Sequence, residues 1–239
     1  LTAYPAAQNY LDFASLDLQF FLPGASIFKN KKQKIIGDPI KNKSLLIPTL
    51  FSGIGTLSDK FKIIRLNNRL KKKSLHQIFS ESEKSTRSYL TDLGFSAEII
   101  TDFFQPFFSG IFLEPHLETS SRMFEFVYKM FGEGHASLPK SGIEAIPKQL
   151  FKNLNNTTFK FNTKVVSIEN NEITLDDKTK LKTIFTIDAT NLLSNSRNSV
   201  TDWKSCHVLY FETDGKIIQK KLIGLIPKKE ALINNIFYH

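Results

Sequence analysis

The sequence predicts a mixed α+β protein, and three observations support this fold class. Between residues 57 and 154 apolar side chains recur with a helical period, and capping residues stand where helices would start. From Phe159 onward the period changes to two, which is typical of strands. The chain contains no glycine-rich turn between a strand and a helix. Together these patterns predict helices followed by a hairpin-rich sheet.

The first 56 residues predict irregular structure, because four prolines interrupt the segment. Short strands are expected at 18–22 and 25–28. The stretch 28–36 carries lysines between apolar ends, which indicates a hairpin with a charged tip. Gly53 and Gly55 follow without a third glycine, a pattern more typical of a turn than of a phosphate-binding loop.

Capping residues locate the helices that follow. Thr56 and Asp59 form a capping box, while Gly94 and Ser96 suit the end of one helix and the start of the next. Pro106 is expected to stop that next helix. The predicted helices lie at 57–73, 81–93, 97–104, 119–131 and 143–154.

The remainder of the chain predicts strands joined by tight turns. The pairs Asn170-Asn171 and Asp176-Asp177 are typical turn residues. The predicted strands lie at 158–168, 172–175, 180–188, 205–213, 221–227 and 235–239. Because two tight turns link the first three strands, we expect these to form an antiparallel sheet that is separate from the last three.

Composition limits the classes of function. Hydrophobic residues make up 41% of the chain and phenylalanine occurs 22 times, which implies either a thick aromatic core or an apolar cavity. One cysteine, Cys206, excludes an internal disulfide, and five scattered histidines make a metal enzyme unexpected. No apolar run spans a membrane and no signal peptide is recognisable. A cytoplasmic protein is therefore expected.

The net charge of +9 favours an acidic partner, although a genome-wide preference for lysine explains it equally well. Seven Lys and Arg residues fall between Lys60 and Lys73, on a helix where they would lie opposite Phe61 and Ile64. A solvated helix face is the simplest interpretation, and peripheral contact with a membrane surface is the alternative. Nucleic acid is not an expected partner, because no recognised RNA- or DNA-binding motif accompanies the charges.

Phenylalanine is concentrated in one segment of the chain. Seven rings fall within 28 residues: Phe104, Phe107, Phe108, Phe112, Phe124, Phe126 and Phe131. They form either a plain core or the wall of a pocket for an apolar substrate. The pocket hypothesis assigns the substrate to Phe107, Phe108, Phe112 and Phe124. An apolar stripe covers only about 100° of a helix, so we expect about half of the seven rings to be buried and the others to be partly exposed.

A second set of motifs carries a family resemblance. Pro139-Lys-Ser-Gly-Ile-Glu-Ala-Ile146 precedes Val165-Val-Ser-Ile168, a hairpin, and Asp188-Ala-Thr190. This order and spacing resembles the flavin-containing amine oxidase superfamily, which includes monoamine oxidases, protoporphyrinogen oxidase and phytoene-desaturase-like enzymes. In that family a Pro-x-Gly-Gly helix precedes a Val-x-x-Ile strand and a strand ending in Ala-Thr. Ser141 stands in place of the first glycine of the pair.

The resemblance implies FAD as cofactor, with the backbone of Val165 at the adenine and Ala189 and Thr190 close to the cofactor. The family's Rossmann glycine loop, Gly-x-Gly-x-x-Gly, and its C-terminal Gly-Asp motif are absent. The chain also begins at Leu1 without Met, so we expect an interior fragment that binds FAD weakly or not at all. No catalytic residue is assigned, because in such enzymes the flavin itself takes the hydride.

The resemblance also implies a division of the chain. Residues 1–133 and 192–239 would form a helical and mixed-sheet substrate domain, and 134–191 a three-stranded piece of the FAD domain. The implied function is oxidation or desaturation of an apolar or amine substrate, catalysed by the full-length enzyme. The alternative is a non-catalytic module that holds a lipid-like ligand or a protein partner. Exposed apolar surface would favour a homodimer.

Overall fold

The computed structural model describes residues 1–189, 203–227 and 231–238. It contains two compact units, Leu1–Phe151 with Lys204–His239, and Lys152–Trp203. The mixture of helices and strands confirms the α+β class. The helices are α1 (Pro5–Tyr10), α2 (Leu46–Leu50), α3 (Leu57–Lys72), α4 (Leu75–Ser80), α5 (Thr86–Asp92), α6 (Ala97–Ile99), α7 (Gln105–Phe112), α8 (Ser121–Glu133) and α9 (Ala145–Lys152).

The described strands form three sheets. They are β1 (Leu18–Phe20), β2 (Gly24–Lys29), β3 (Lys32–Gly37), β4 (Ser137–Pro139), β5 (Val165–Glu169), β6 (Glu172–Leu175), β7 (Lys180–Lys182), β8 (Ile223–Leu225) and β9 (Asn235–Ile236). The first unit contains an antiparallel β1-β4 pair and a mixed sheet of order β3-β2-β8-β9. The second contains the antiparallel sheet β5-β6-β7, which confirms the predicted separation of the two strand groups.

Residues with a left-handed backbone form the turns of the two predicted hairpins. Asn30 and Lys31, both with positive φ, join β2 to β3 and so form the charged tip expected at 28–36. Asn170 and Asn171, also with positive φ, join β5 to β6 in the same way. Asparagine tolerates this left-handed backbone better than most residues, which is why these turns were readable from sequence.

One hydrophobic core holds the larger unit together. The buried side chains of α3, α5, α7 and α8 meet those of β2, β3 and β8, so helices and mixed sheet share the same interior. Phe104, Phe108 and Phe124 are the largest side chains with no exposed surface. Residues of this type dominate the burial of apolar area and hence the stability of such a core.

The carboxylate of Asp59 serves the starts of two helices. It accepts hydrogen bonds from the backbone N–H groups of Thr56, at the cap of α3, and Ser96, at the cap of α6, each within 2.9 Å. The hydroxyls of the same two residues donate to it at 2.8 and 2.7 Å. Both predicted caps are therefore confirmed, and one buried carboxylate links them.

This link corrects the predicted orientation of α3. Asp59 points into the protein together with Leu66 and Leu70, whereas Leu57 and Phe61 lie exposed on the opposite face. The expectation that the charges lie opposite Phe61 was therefore wrong. Helical geometry turns about 100° per residue, so once Asp59 faces inward the residues two positions away on either side face outward.

Several other boundaries differ from the sequence prediction. A π-helical turn at Ile100–Phe104 continues into α7, so Pro106 lies in the first turn of a helix instead of ending one. The predicted helix 81–93 begins only at Thr86, and α4, with its own capping box, was not predicted. The strand predicted at 205–213 is not formed. No helix in the described ranges is long and apolar enough to cross a bilayer.

Substitution of Asp59 tests the shared cap. Burial by itself raises the pKa of Asp59, but hydrogen bonds from Ser96 and Thr56 outweigh it and hold the pKa below its ordinary value. Asp59→Asn replaces an accepting oxygen by a donor, so we expect a loss of about 1–3 kcal/mol in the free energy of unfolding at neutral pH. Asp214→Asn, at an exposed position, is the control.

The loss should depend on pH with a defined sign. Because the folded-state pKa is depressed, the carboxylate stabilises the native state above the unfolded-state pKa, about 3.9, and this stabilisation disappears as pH falls through the folded-state value. Urea unfolding should therefore show Asp59→Asn less stable than the parent protein at neutral pH and converging with it in acid, while Asp214→Asn matches the parent at both pH values. An equal loss at both pH values would contradict the ionic role.

Candidate functional site

The aromatic cluster of α7 and α8 brings together the four residues predicted to line a substrate pocket. The ring centroid of Phe108 lies 4.7 Å from Phe124, 5.2 Å from Phe107 and 5.3 Å from Phe112. Phe107 also contacts Phe131, with ring centroids 5.2 Å apart. These distances are typical of interacting aromatic pairs, so the cluster is one packed unit.

Burial separates the four rings into two layers. Phe108 and Phe124 have no exposed surface, whereas Phe107 and Phe112 are partly buried and pack against the same core. Only the outer pair therefore has surface that a ligand can reach, and the inner pair supports it from below. The assignment of all four to a substrate pocket stays a prediction.

Close packing against β9 positions α7. Gly110 lies against Asn234 and Asn235, whose side-chain nitrogens occupy the space that a Cβ would need. The Asn234 amide also donates to the carbonyl of Pro106 at 2.9 Å. A larger residue at Gly110 would displace these Asn side chains, of which Asn234 holds the Pro106 carbonyl of α7.

A buried ionic network lies on the other side of α8. The Glu125 carboxylate, 3% exposed, contacts Lys73 at 2.5 Å and Arg69 at 3.2 Å, and the Tyr89 hydroxyl donates to it. Burial, reinforced by the hydrogen bond to Glu125, raises the pKa of Tyr89 well above its ordinary value. The Tyr89 phenol is therefore a neutral hydrogen-bond donor, and the Glu125 carboxylate is paired with two cations. The network links α3, α5 and α8, and it contains no unpaired group that could act as a base.

Sequence reasoning missed this network. Arg69 and Lys73 stand four residues apart on α3, and Glu125 interrupts the apolar stripe of α8 between Phe124 and Val127. A single acid inside an apolar stripe is the signal that could have identified it, because a buried carboxylate requires cationic partners. A surface cavity of about 590 Å³ opens beside it, lined by Arg69, Lys72, Lys73, His76, Gln77, Ser80 and Glu81.

The predicted cofactor residues lie in the smaller unit. Val165 begins β5, the edge strand of its sheet, so its backbone has a strand neighbour on one side only among the described residues. A bulge follows it, and Val166 is 55% exposed. Ala189 is exposed and outside regular structure, and Thr190 lies outside the described residues. The structure tests none of these three assignments, and they stay predictions.

Comparison with known families decides what these features belong to. The family model described as flavin containing amine oxidoreductase matches residues 2–194 of the chain. The chain belongs to this family. The match covers most of the chain and confirms the resemblance that rested on the motifs between Pro139 and Thr190. No curated protein matches this flavin containing amine oxidoreductase chain.

In this family member the Gly53/Gly55 turn before α3 does not supply a site for the FAD pyrophosphate. Such a site needs free N–H groups at a helix start behind a glycine turn. In the turn before α3, a Cβ on Gly55 would lie 2.8 Å from the Ile99 Cδ1, so this glycine allows close helix packing. The N–H of Thr56 already binds the Asp59 carboxylate, whose charge would repel a phosphate. In the described ranges no group of His, Cys, Asp and Glu could hold a metal ion.

Removal of Glu125 tests the buried network. We expect Glu125→Ala to lower the free energy of unfolding by about 1–3 kcal/mol, because the buried Tyr89 hydroxyl loses its acceptor, while Lys73 keeps Glu81 as a partner and Arg69 is 43% exposed. Glu144→Ala removes an exposed pair with Lys148 on α9 and should cost less than about 1 kcal/mol. Urea denaturation measures both. Similar losses for the two variants would show that Glu125 behaves as a surface residue.

Proposed function

We propose that this chain is the substrate-binding part of an FAD-dependent oxidoreductase that oxidises or desaturates an apolar or amine substrate. The family match supports flavin-dependent oxidoreductase chemistry. The aromatic cluster supports an apolar substrate, because its outer rings offer apolar surface above a rigid buried layer. In such an enzyme the flavin accepts the hydride, and the protein binds and orients the substrate.

Phe107 and Phe112 are the residues that we propose to contact the substrate. Both project from α7, whose position against β9 is set by Gly110, and both rest on Phe108. Buried Phe108 and Phe124 cannot move without opening the core, so the outer rings are held in place before a ligand arrives. Preorganised apolar surface of this kind favours rigid, hydrophobic ligands.

We propose that the backbone at Val165, with Ala189 and Thr190, contacts FAD in the enzyme. The one-sided pairing of β5 supports this for Val165, because its free edge leaves backbone groups available. A few backbone contacts do not replace a pyrophosphate site, and the sequence lacks the family's Gly-x-Gly-x-x-Gly loop. The 239 residues alone are therefore proposed to be inactive.

The first test is flavin retention by residues 1–239. We expect the purified chain to show no flavin absorbance and to gain none after incubation with FAD and desalting, because it has no Gly-x-Gly-x-x-Gly loop to bind the pyrophosphate. A family member that carries the Gly-x-Gly-x-x-Gly loop is the positive control. Stoichiometric FAD on the purified chain would contradict the proposal.

The second test addresses the substrate surface, in the product of the natural gene. We expect Phe107→Ala and Phe112→Ala each to lower kcat/KM for an apolar substrate by about tenfold or more, through lost apolar contact. Phe79→Ala, half-exposed on α4, removes the same side chain elsewhere in the helical layer and should change kcat/KM little. Steady-state kinetics with unchanged flavin content separates substrate binding from cofactor loss. Equal effects of all three variants would contradict the assignment.

The same kinetics distinguish the enzyme from a non-catalytic module. A module that only holds a lipid-like ligand would bind apolar probes through Phe107 and Phe112 but would show no flavin-linked turnover in the natural gene product. The family match favours the enzyme.

A further inference from the structure

The charge of this protein is concentrated in one part of the larger unit. Residues 39–73 contain nine Lys and Arg side chains and a single acid, Asp59, so this stretch carries a net charge of +8 out of the chain's +9. Asp59 is buried and used as a helix cap. Arg69 and Lys73 pair with Glu125, and the other seven cations of the stretch have no ion pair in the described part of the chain.

Large apolar side chains are exposed in the same stretch. On α2 and the residue after it, Ile47 is 69% and Phe51 77% exposed, and Leu50 lies between them on the same helical face. The outward face of α3 presents Leu57, Phe61 (73% exposed) and Ile64. We call these six residues the apolar face.

A hydrogen bond joins the two halves of the apolar face. The Lys60 ammonium, one turn from Leu57 and Ile64, donates to the carbonyl of Leu50 at 2.9 Å. The C-terminal end of α2 therefore lies beside the first two turns of α3. Arg65 lies on α3 next to the apolar residues, on the side away from Lys60, and Lys43 precedes α2 in the chain. Lys43 and Arg65 are exposed and have no ion pair within the described ranges.

The inward orientation of Asp59 explains why the apolar face stays exposed. Rotating α3 to bury Phe61 and Ile64 would pull the Asp59 carboxylate away from Ser96 and leave two helix caps unsatisfied. The fold therefore keeps Phe61 in solvent, although its burial elsewhere would be favourable. Exposed apolar side chains that the fold maintains in this way at the end of α2 and on α3 indicate an interaction site.

We propose that the apolar face and its flanking cations form a peripheral binding site for an anionic lipid bilayer. Phe51, Phe61 and Ile47 would enter the boundary between headgroups and acyl chains, while Lys43 and Arg65 contact lipid phosphates. Lys is depleted in the cores of protein interfaces, and nucleic acid would leave the aliphatic side chains without a partner. Leu, Ile and Phe flanked by Lys and Arg match the composition of interfacial helices.

This site is independent of the flavin chemistry, so its test needs no cofactor. The chain is sedimented with vesicles of phosphatidylcholine alone or mixed with phosphatidylglycerol. We expect binding to the mixed vesicles, little binding to the neutral ones, and weakening as salt concentration rises. Comparable binding to both vesicles would overturn the proposal.

Substitutions locate the site on the chain. Phe61→Ser should lower partitioning into the mixed vesicles by about tenfold or more, and Phe51→Ser, on the other half of the face, should act similarly. Both positions are exposed, and far-UV circular dichroism verifies the fold. Phe185→Ser, at a ring 89% exposed in the smaller unit, is the control. Loss of binding with Phe185→Ser but not with Phe61→Ser would overturn the assignment.

Charge is tested separately from apolar contact. Lys43→Gln together with Arg65→Gln should lower partitioning by about 25-fold, since each cation near an anionic surface contributes about fivefold. Lys182→Gln with Lys204→Gln removes the same charge from exposed positions elsewhere and should have a much smaller effect. Equal effects of the two pairs would show that only net charge matters. Self-association abolished by Phe61→Ser, without vesicle binding, would assign the face to a second copy of the chain and overturn the proposal.

Discussion

The carboxylate of Asp59 satisfies donors at the starts of α3 and α6 and has no exposed surface. Because one group serves two helices, its position fixes how α3 is rotated and where α6 begins. The rotation turns Leu66 and Leu70 toward the core and brings Arg69 and Lys73 within reach of Glu125. Core packing and the buried ionic network both follow from this single constraint.

The aromatic cluster depends on the same framework. A π-helical turn and then α7 follow directly from α6. The side chains of Asn234 and Asn235, at the start of β9, pack against α7 at Gly110. Phe108 and Phe124 are consequently buried between α7 and α8, and Phe107 and Phe112 remain at the margin. An oxidoreductase that leaves the chemistry to a flavin needs such a rigid apolar surface more than it needs acids or bases.

Orienting α3 in this way has a consequence for the protein surface. Side chains such as Phe61 are held in solvent beside a dense group of cations, and the surrounding stretch contains no exposed acid. A bilayer surface would bring an apolar substrate close to the enzyme, so a membrane contact and an apolar binding surface are functionally compatible. The two proposals nevertheless rest on different residues and different measurements.

The sequence by itself determined the features that depend on residues close together in the chain. The capping box of Thr56 and Asp59, the cap at Ser96 and the Asn turns form within a few residues, so the sequence predicts them directly. The family was likewise readable from spaced motifs between Pro139 and Thr190. Tertiary structure alone decided which face of α3 is buried and which rings are accessible. Those outcomes depend on contacts with Ser96, Glu125 and Asn235, which lie far along the chain from the residues that they contact. The periodicity of a single helix cannot predict such contacts.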